Sequence, residues 1–377
     1  MADVVVVGAG PVGMLLAGLL ARDGVDVDVL ERRPGAGAGS RAIGVHAPVL
    51  AALEPSGVTE RLLAGAVRVP RGEARSGGRV LGVVRFDRLS TRFPFVATIP
   101  QAVTEAVLAV DAPAPLRGAA VTAVDPRGDH VRVRAGVGGR PTEREAPIVV
   151  VASGWGGRDL VYRPGAVPVH TYRDRYLMTD AVVGDRDDAD VAVVDLDRAG
   201  VLESFPMPGG RRRFVAWDRP DAEDSPDARA DRLRAALAER GESATIDEAS
   251  SFGVRRVVAP RLRRGRIFVI GDAAHEVSPI GGQGMNLGLL DAATLAPLLA
   301  QWVRTGDAPE SGLRRWEDRR LRSARTAAGL ASVNTALGRA LSRPADAVRR
   351  TAVRAMLAPP LGATFARAYA MGFDRDA

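Results

Sequence analysis

The sequence contains no cysteine and no lysine, so all 52 of its basic residues are arginine. Without cysteine there are no disulfides, no thiolate nucleophile, no CxxC redox pair, no iron–sulfur cluster and no Cys-type zinc site. Without lysine there is no Schiff-base chemistry and no P-loop lysine on a nucleotide phosphate. Asparagine is nearly absent too, with only Asn286 and Asn334. The histidines His46, His130, His170 and His275 are far apart and show no HxxxH spacing, so no metal site is expected. No apolar run reaches the roughly 18–20 residues that a membrane span needs. The chain enters an apolar strand almost at once, so no signal peptide is expected. The expectation is a soluble, cytoplasmic protein.

What is present suits a globular fold, with 46% hydrophobic and 26% charged residues among 377. The net charge of +7 could suggest a nucleic-acid surface. The arginines are spread along the chain, however, with local density only near 211–213 and 261–266, and no nucleic-acid recognition motif accompanies them. No nucleic-acid partner is expected.

The apolar run from Asp3 to Val7 ends at Gly8 and predicts a buried parallel strand. A helical pattern from Pro11 to Arg22 and a second strand from Asp26 to Leu30 complete a βαβ opening. A strand–helix pair is expected around Val96–Ala109, a hairpin over Val121–Ala135 turning at Pro126–Asp129, and a buried strand at Ile148–Val151. From Val167 to Arg219 alternating strands are expected at Tyr176–Val183, Val191–Asp195 and Arg213–Trp217, forming an antiparallel sheet inserted into the first domain. A polar helix at Asp221–Gly241, a buried strand at Ile267–Ile270, an apolar helix at Gly284–Val303 and an arginine-rich helical tail from Pro309 follow.

Two glycine-rich segments carry chemistry. Gly8-Ala9-Gly10-Pro11-Val12-Gly13 joins a strand to a helix. In that context Gly8 permits the tight turn, Gly10 lets backbone approach a pyrophosphate, and Gly13 permits close helix–strand packing. Phosphates would sit on the helix N-terminus, where unpaired N–H groups favour anions. Glu31, ending the second strand, is placed to hydrogen-bond an adenosine ribose, with Arg32 beside it. No second such fingerprint exists, so one adenine dinucleotide is held and any other nucleotide only visits. The second segment is Gly271-Asp272-Ala273-Ala274-His275, then Pro279, then Gly281-Gly282-Gln283-Gly284-Met285-Asn286. Asp272 can accept hydrogen bonds from a polyol chain. The Gly282–Asn286 turn can offer N–H groups to a ring that gains negative charge.

These paired motifs resemble those of the class A flavoprotein aromatic hydroxylases with the para-hydroxybenzoate hydroxylase fold, over roughly residues 3–300. Ser40-Arg41-Ala42-Ile43-Gly44-Val45-His46 is similar to the family segment whose arginine lies near the flavin. Pro100-Gln101-Ala102-Val103-Thr104-Glu105 is similar to the PQxxTE segment of the phenol and polyketide hydroxylase branch, in which the Gln contacts FAD. The resemblance implies an α/β fold: an FAD-binding Rossmann-like βαβ domain with an interleaved antiparallel-sheet substrate domain and a helical C-terminal extension. The corresponding boundaries are 1–70, 100–165 and 261–305 for the FAD domain, 71–99 and 166–260 for the substrate domain, and 306–377 for the helices. FAD would be held by Gly8, Gly10, Gly13, Glu31, Arg32, Arg41, Gln101, Asp272, Pro279, Gly282, Gly284, Met285 and Asn286, with Gln283 completing the turn at the ring.

The implied reaction is NAD(P)H- and O2-dependent hydroxylation of an aromatic or polyketide-type small molecule through a flavin C4a-hydroperoxide. Flavin carries that chemistry, and no catalytic side chain stands out. Candidate substrate walls are His46, Tyr176, Phe205, Met207 and Trp217. The chain departs from the family where Ser153-Gly154 replaces the usual Asp-Gly and Gly157 replaces a serine. That segment handles flavin and NADPH in the family, so NADH, NADPH or neither stays open as donor. The thioredoxin-like domain common in the polyketide branch is not expected here. Absent lysine argues against the flavin-dependent halogenases, whose WxWxIP segment is also missing. A flavin-dependent reductase of an isoprenoid-like alkene and a non-redox FAD-stabilised partner subunit remain as alternatives.

Overall fold

The computed structural model describes residues 1–35 and 42–374. At its centre is the strand Val4–Val7, whose four valines are all buried. It pairs in parallel with Val27–Glu31 on one side and Ile148–Val151 on the other. A continuous apolar run is what a strand covered on both faces requires. Ile267–Val269 and Leu116–Arg117 extend the parallel sheet, and Arg263–Arg264 closes one edge antiparallel, giving six strands. Helices Pro11–Arg22 and Gly284–Thr305 pack their small and apolar residues on this sheet. Gly13 and Gly288 allow the contact, because a Cβ on Gly13 would stand 2.0 Å from the Gly8 carbonyl oxygen and one on Gly288 would stand 2.6 Å from Val12 Cγ2.

The hairpin expected at Val121–Ala135 is a three-stranded meander, Ala119–Pro126, Val131–Val137 and Arg140–Ala146. Its third strand, RPTEREA, is mostly charged and lies at a solvated edge, so it carries little apolar signal.

The second layer is an eight-stranded sheet in the order His275–Glu276, Ser250–Val258, Val169–Val182, Arg211–Asp218, Gly200–Met207, Val191–Asp197, Arg71–Ser76, Arg79–Arg85. Only the Val191–Asp197 and Arg71–Ser76 pair is parallel. Strands from residues 71–85 and from 169–258 thus interleave with the parallel-sheet segments. One face packs Leu177, Leu202, Phe214 and Ala216 against the helix Pro226–Ala238, whose N-cap Ser225 Oγ accepts the Ala228 N–H. The other face carries Tyr176, Val201, Val215 and Val254.

The arginine-rich tail folds as three helices, Glu310–Leu337, Arg343–Leu357 and Leu361–Tyr369. The first lies on Gly284–Thr305 and is anchored by a buried ionic network. Asp291 accepts the Gly271 N–H at 3.1 Å, His275 Nε2 at 2.6 Å and Arg320 Nε at 2.8 Å. Arg320 in turn holds Asp374 at 2.6 Å. The second helix lies against the Arg79–Arg85 strand so closely that a Cβ on Gly82 would meet Leu357 Cβ at 2.5 Å. Among the described residues, no helix is long and apolar enough to cross a membrane.

Candidate active site

Both glycine segments open into a single cavity of about 780 Å³ between the parallel sheet and the eight-stranded sheet. It lies beyond the carboxyl ends of the parallel strands, where Gly8, Glu31, Ser153 and Gly271 emerge.

At one end the chain turns at Gly8, with φ of 111° and no space for a side chain, since a Cβ would stand 2.6 Å from the Ala152 carbonyl oxygen. Gly10 differs. Nothing lies within 4 Å of its would-be Cβ, so its backbone is open to the cavity. The helix begins at Pro11, which lacks the N–H that a first-turn residue could not pair in any case. Glu31 is oriented by the Ala9 N–H at 2.8 Å and by the Arg33 N–H at 2.9 Å. Burial opposes its ionisation, but the Arg33 and Ala9 N–H bonds and the Arg33 guanidinium outweigh that and hold its pKa below the usual carboxylate value. Each carboxylate oxygen keeps acceptor capacity for a further hydroxyl.

At the middle of the cavity, Asp272, Pro279, Gly282, Gly284 and Met285 line the wall. The first-turn N–H groups of the Gly284–Thr305 helix have no intrahelical acceptor. Gly282 spends its own N–H inside the turn, on the Pro279 carbonyl at 2.8 Å. Gln101 lines the cavity, accepts the Ala42 N–H at 3.2 Å and donates to Glu105 at 2.8 Å. His46 is buried, with Nδ1 unpartnered among the described residues. Burial pushes its pKa down to about 4, with the Gly282 backbone bond offsetting only part of this, so the imidazole is neutral at pH 7.

The far end is walled by Met178, Val194, Phe205, Val215 and Phe252 of the eight-stranded sheet. Across from it stand Asn334, Leu337, Val353, Met356, Phe365 and Tyr369 of the tail helices. Tyr369 donates to Asn334 Oδ1 at 2.6 Å.

Of the expected cofactor residues, Gly8, Gly10, Glu31, Arg32, Gln101, Asp272, Pro279, Gly282, Gly284 and Met285 line this cavity, and Arg41 lies outside the described residues. Gly13, Gln283 and Asn286 do not line it. Gly13 packs on the Gly8 turn, and Gln283 donates to the Ala368 carbonyl at 3.1 Å. The Asn286 amide is consumed in structure: it accepts the His46 N–H at 2.8 Å and donates to Gly44 and Gly282 carbonyls at 2.8 and 3.0 Å. It ties the turn to the 44–46 segment. Of the expected substrate walls, His46 and Phe205 line the cavity. Tyr176 is fully buried and stacks on Phe252 at 5.7 Å, Met207 is buried at the strand end, and the half-buried Trp217 donates to Asp174 at 3.0 Å. None of these three lines the cavity.

Three features had no sequence signal. Arg158 is buried and ties the Trp155–Leu160 turn to the Gly271 turn, donating to Asp272 and Ala273 carbonyls and to Glu276 at 2.7 Å. Trp155 is exposed at the cavity mouth with the Arg255 guanidinium 4.7 Å from its ring centre. Glu203 is a buried carboxyl on the sheet wall. Its spacing in the strand, alternate with Val201 and Phe205, is the only pattern that could have pointed inward.

A parallel sheet with a glycine-rich dinucleotide turn, a second glycine turn opening a helix, and an antiparallel wall closing one shared cavity define a dinucleotide-binding protein with a built-in small-molecule chamber. The residues fit an adenine dinucleotide, with an open backbone at Gly10 between two glycines that admit no side chain. The chain belongs to the FAD binding domain family, which matches residues 1–331. It is 33% identical over 386 residues to 6-methylpretetramide 4-monooxygenase of Streptomyces rimosus, covering 97% of this chain and 66% of that protein. The chain thus spans just under two thirds of the length of the first curated relatives it matches. The solved OxyS anhydrotetracycline hydroxylase from Streptomyces rimosus superposes with a TM-score of 0.78 at 27% identity, over 98% of this chain and 75% of that one. The p-nitrophenol 4-monooxygenase PnpA from Pseudomonas putida DLL-E4 shares the fold with a TM-score of 0.88 at 23% identity, over 100% of this chain and 99% of that one.

Proposed function

We propose that the protein is an FAD-dependent monooxygenase that uses NADH or NADPH and O2 to hydroxylate an aromatic or polyketide-type small molecule. The observation that carries this is the continuity of one cavity from the Gly8–Gly13 turn to an apolar sheet wall. When bound, FAD supplies dioxygen activation and transfer of one oxygen atom to an electron-rich ring. The helix starting at Pro11 receives the diphosphate, with Gly10 admitting it closely and Glu31 and Arg32 at the adenosine end. Asp272 holds hydroxyls of the polyol chain. The first-turn N–H groups of Gly284 and Met285 would be available to negative charge developing on a bound flavin ring. Met178, Val194, Phe205 and Val215 keep the reacting space apolar and poor in water.

The test is to purify the protein, reconstitute it with FAD, and follow NADH and NADPH oxidation with and without oxygen. Oxygen uptake stimulated by a hydroxylated aromatic is the expected result. Failure to take up FAD overturns the reading. Anaerobic turnover of an alkene would reassign the protein as a reductase. Flavin that neither nucleotide reduces, with aromatic compounds present, would reassign it as a non-redox subunit.

A further inference from the structure

Strand alternation in Gly200–Met207 sends Leu202 and Ser204 to the helix-covered face and Val201, Glu203 and Phe205 into the cavity. Glu203 is only 4% exposed, and among the described residues it makes no hydrogen bond and no ion pair. Its cross-strand neighbours Val194 and Val215 are both apolar and both line the cavity. Burial without a partner pushes its pKa up to about 8. The titratable groups facing it from surrounding elements are Tyr176 on the Val169–Val182 strand and Tyr369 on the last helix. Burial and then the Glu203 charge raise both. Asp174, held by Arg339 at 2.8 Å, also acts on Tyr176. The other charges on this wall are committed. Arg213 is held by Asp180 at 2.6 and 2.7 Å, and Glu73 by Arg75 at 2.8 Å.

A lone carboxyl in an apolar wall lowers stability unless something in the cavity uses it. We propose that Glu203 is the general base of the reaction, its carboxylate taking the proton of a ring hydroxyl on the bound substrate. The substrate O–H bond breaks, an O–H bond forms on Glu203, and the negative charge passes to the ring oxygen. The ring becomes electron-rich at the carbons conjugated to that oxygen, and no co-reactant is consumed. A base poised near the working pH performs such a transfer efficiently. With Arg213 committed to Asp180, the same wall disfavours a substrate that carries its own carboxylate.

This rests on the monooxygenase reading, and the test separates the two. Holoprotein and its Glu203→Gln variant are titrated with a panel of hydroxyarenes from phenol to a hydroxyanthraquinone, whose absorption band moves to longer wavelength when the hydroxyl ionises. In the wild type the bound probe is expected to show the ionised band, growing through about pH 8. In Glu203→Gln it is expected to stay neutral at the same pH, with FAD uptake unchanged and any turnover slowed about 100-fold or more. Glu203→Met, of similar volume, serves as a second variant with the same expectation. Identical bands in wild type and variants, a bound probe that never ionises, or no binding by any member of the panel overturns the proposal. The band is read without turnover, so an ionised probe that is never oxygenated overturns the monooxygenase reading alone.

Discussion

Ser153 and Gly157 fit only as a pair: a Cβ on Gly157 would stand 1.7 Å from Ser153 Oγ and 2.9 Å from Ser153 Cβ. The Ser153 hydroxyl is buried and finds no partner among the described residues, so steric fit rather than hydrogen bonding holds it there. The two residues accommodate each other. Gly157→Ala is expected to cost about 1–3 kcal/mol, and Ser153→Gly in the same chain to restore most of it. A denaturant double-mutant cycle giving additive effects would refute the pairing.

Gly8 and Gly10 separate folding from cofactor binding. Gly8 has φ of 111° and backbone 2.6 Å from its would-be Cβ, so Gly8→Ala is expected to lower the melting temperature with or without FAD. Gly10→Ala meets nothing within 4 Å and is expected to leave apoprotein stability unchanged while weakening FAD binding at least tenfold. Equal FAD affinity in Gly10→Ala and wild type would remove the diphosphate from this turn.

The buried acid and the buried imidazole give stability opposite pH slopes. Burial raises the Glu203 pKa from 4.5 to about 8, so the folded form keeps a proton the unfolded chain has shed. Its contribution is therefore greatest below about pH 4.5 and is lost as pH rises to about 8, at about 1.4 kcal/mol per pH unit. His46 is lowered by burial from 6.5 to about 4, so stability rises with pH across that interval and is complete above 6.5. The two slopes oppose each other between about pH 4.5 and 6.5, and only that of Glu203 persists from there to about pH 8. Thermal melts of Glu203→Gln should lack the alkaline decline and exceed wild type at pH 8. His46→Gln should lose less stability than wild type on acidification from pH 6.5 to 4.

Asp291 joins the Gly271 turn to the tail. Burial opposes its charge, but His275 and Arg320 outweigh this and keep its pKa low. Asp291→Asn removes a carboxylate that faces the buried Arg320 guanidinium at 2.8 Å and is expected to cost about 3–5 kcal/mol. Limited proteolysis should then release the tail helices early. Unchanged stability to denaturant would refute the network's role.

The βαβ opening and both glycine turns were legible because their signals are local. A strand ending in glycine followed by a helical pattern is specified within a few residues, and Gly8, Gly10, Gly282 and Gly284 do reach one cavity. The antiparallel strands were harder to place. The Gly200–Met207 strand passed unnoticed because it is buried on both faces and so lacks alternation. Tyr176, Trp217 and Met207 looked like walls because they are large and apolar, a property shared by core and pocket alike. The arginine triplet Arg211–Arg213 is not a basic patch. Strand geometry turns Arg212 into the sheet toward Ser204 and Arg213 toward Asp180.

Residue type and close spacing are enough to specify the dinucleotide turn, the second helix N-terminus, and the chemistries that absent cysteine and lysine exclude. Tertiary structure alone decided that the tail helices close the far side of the cavity with Asn334 and Tyr369, that Arg158 braces the Gly271 turn, and that Glu203 stands unpaired in an apolar wall. Burial, the pairing of a charge and the shift of its pKa arise from contacts between separate elements, some more than a hundred residues apart, as Arg158 and Asp272 are. No window of sequence contains them.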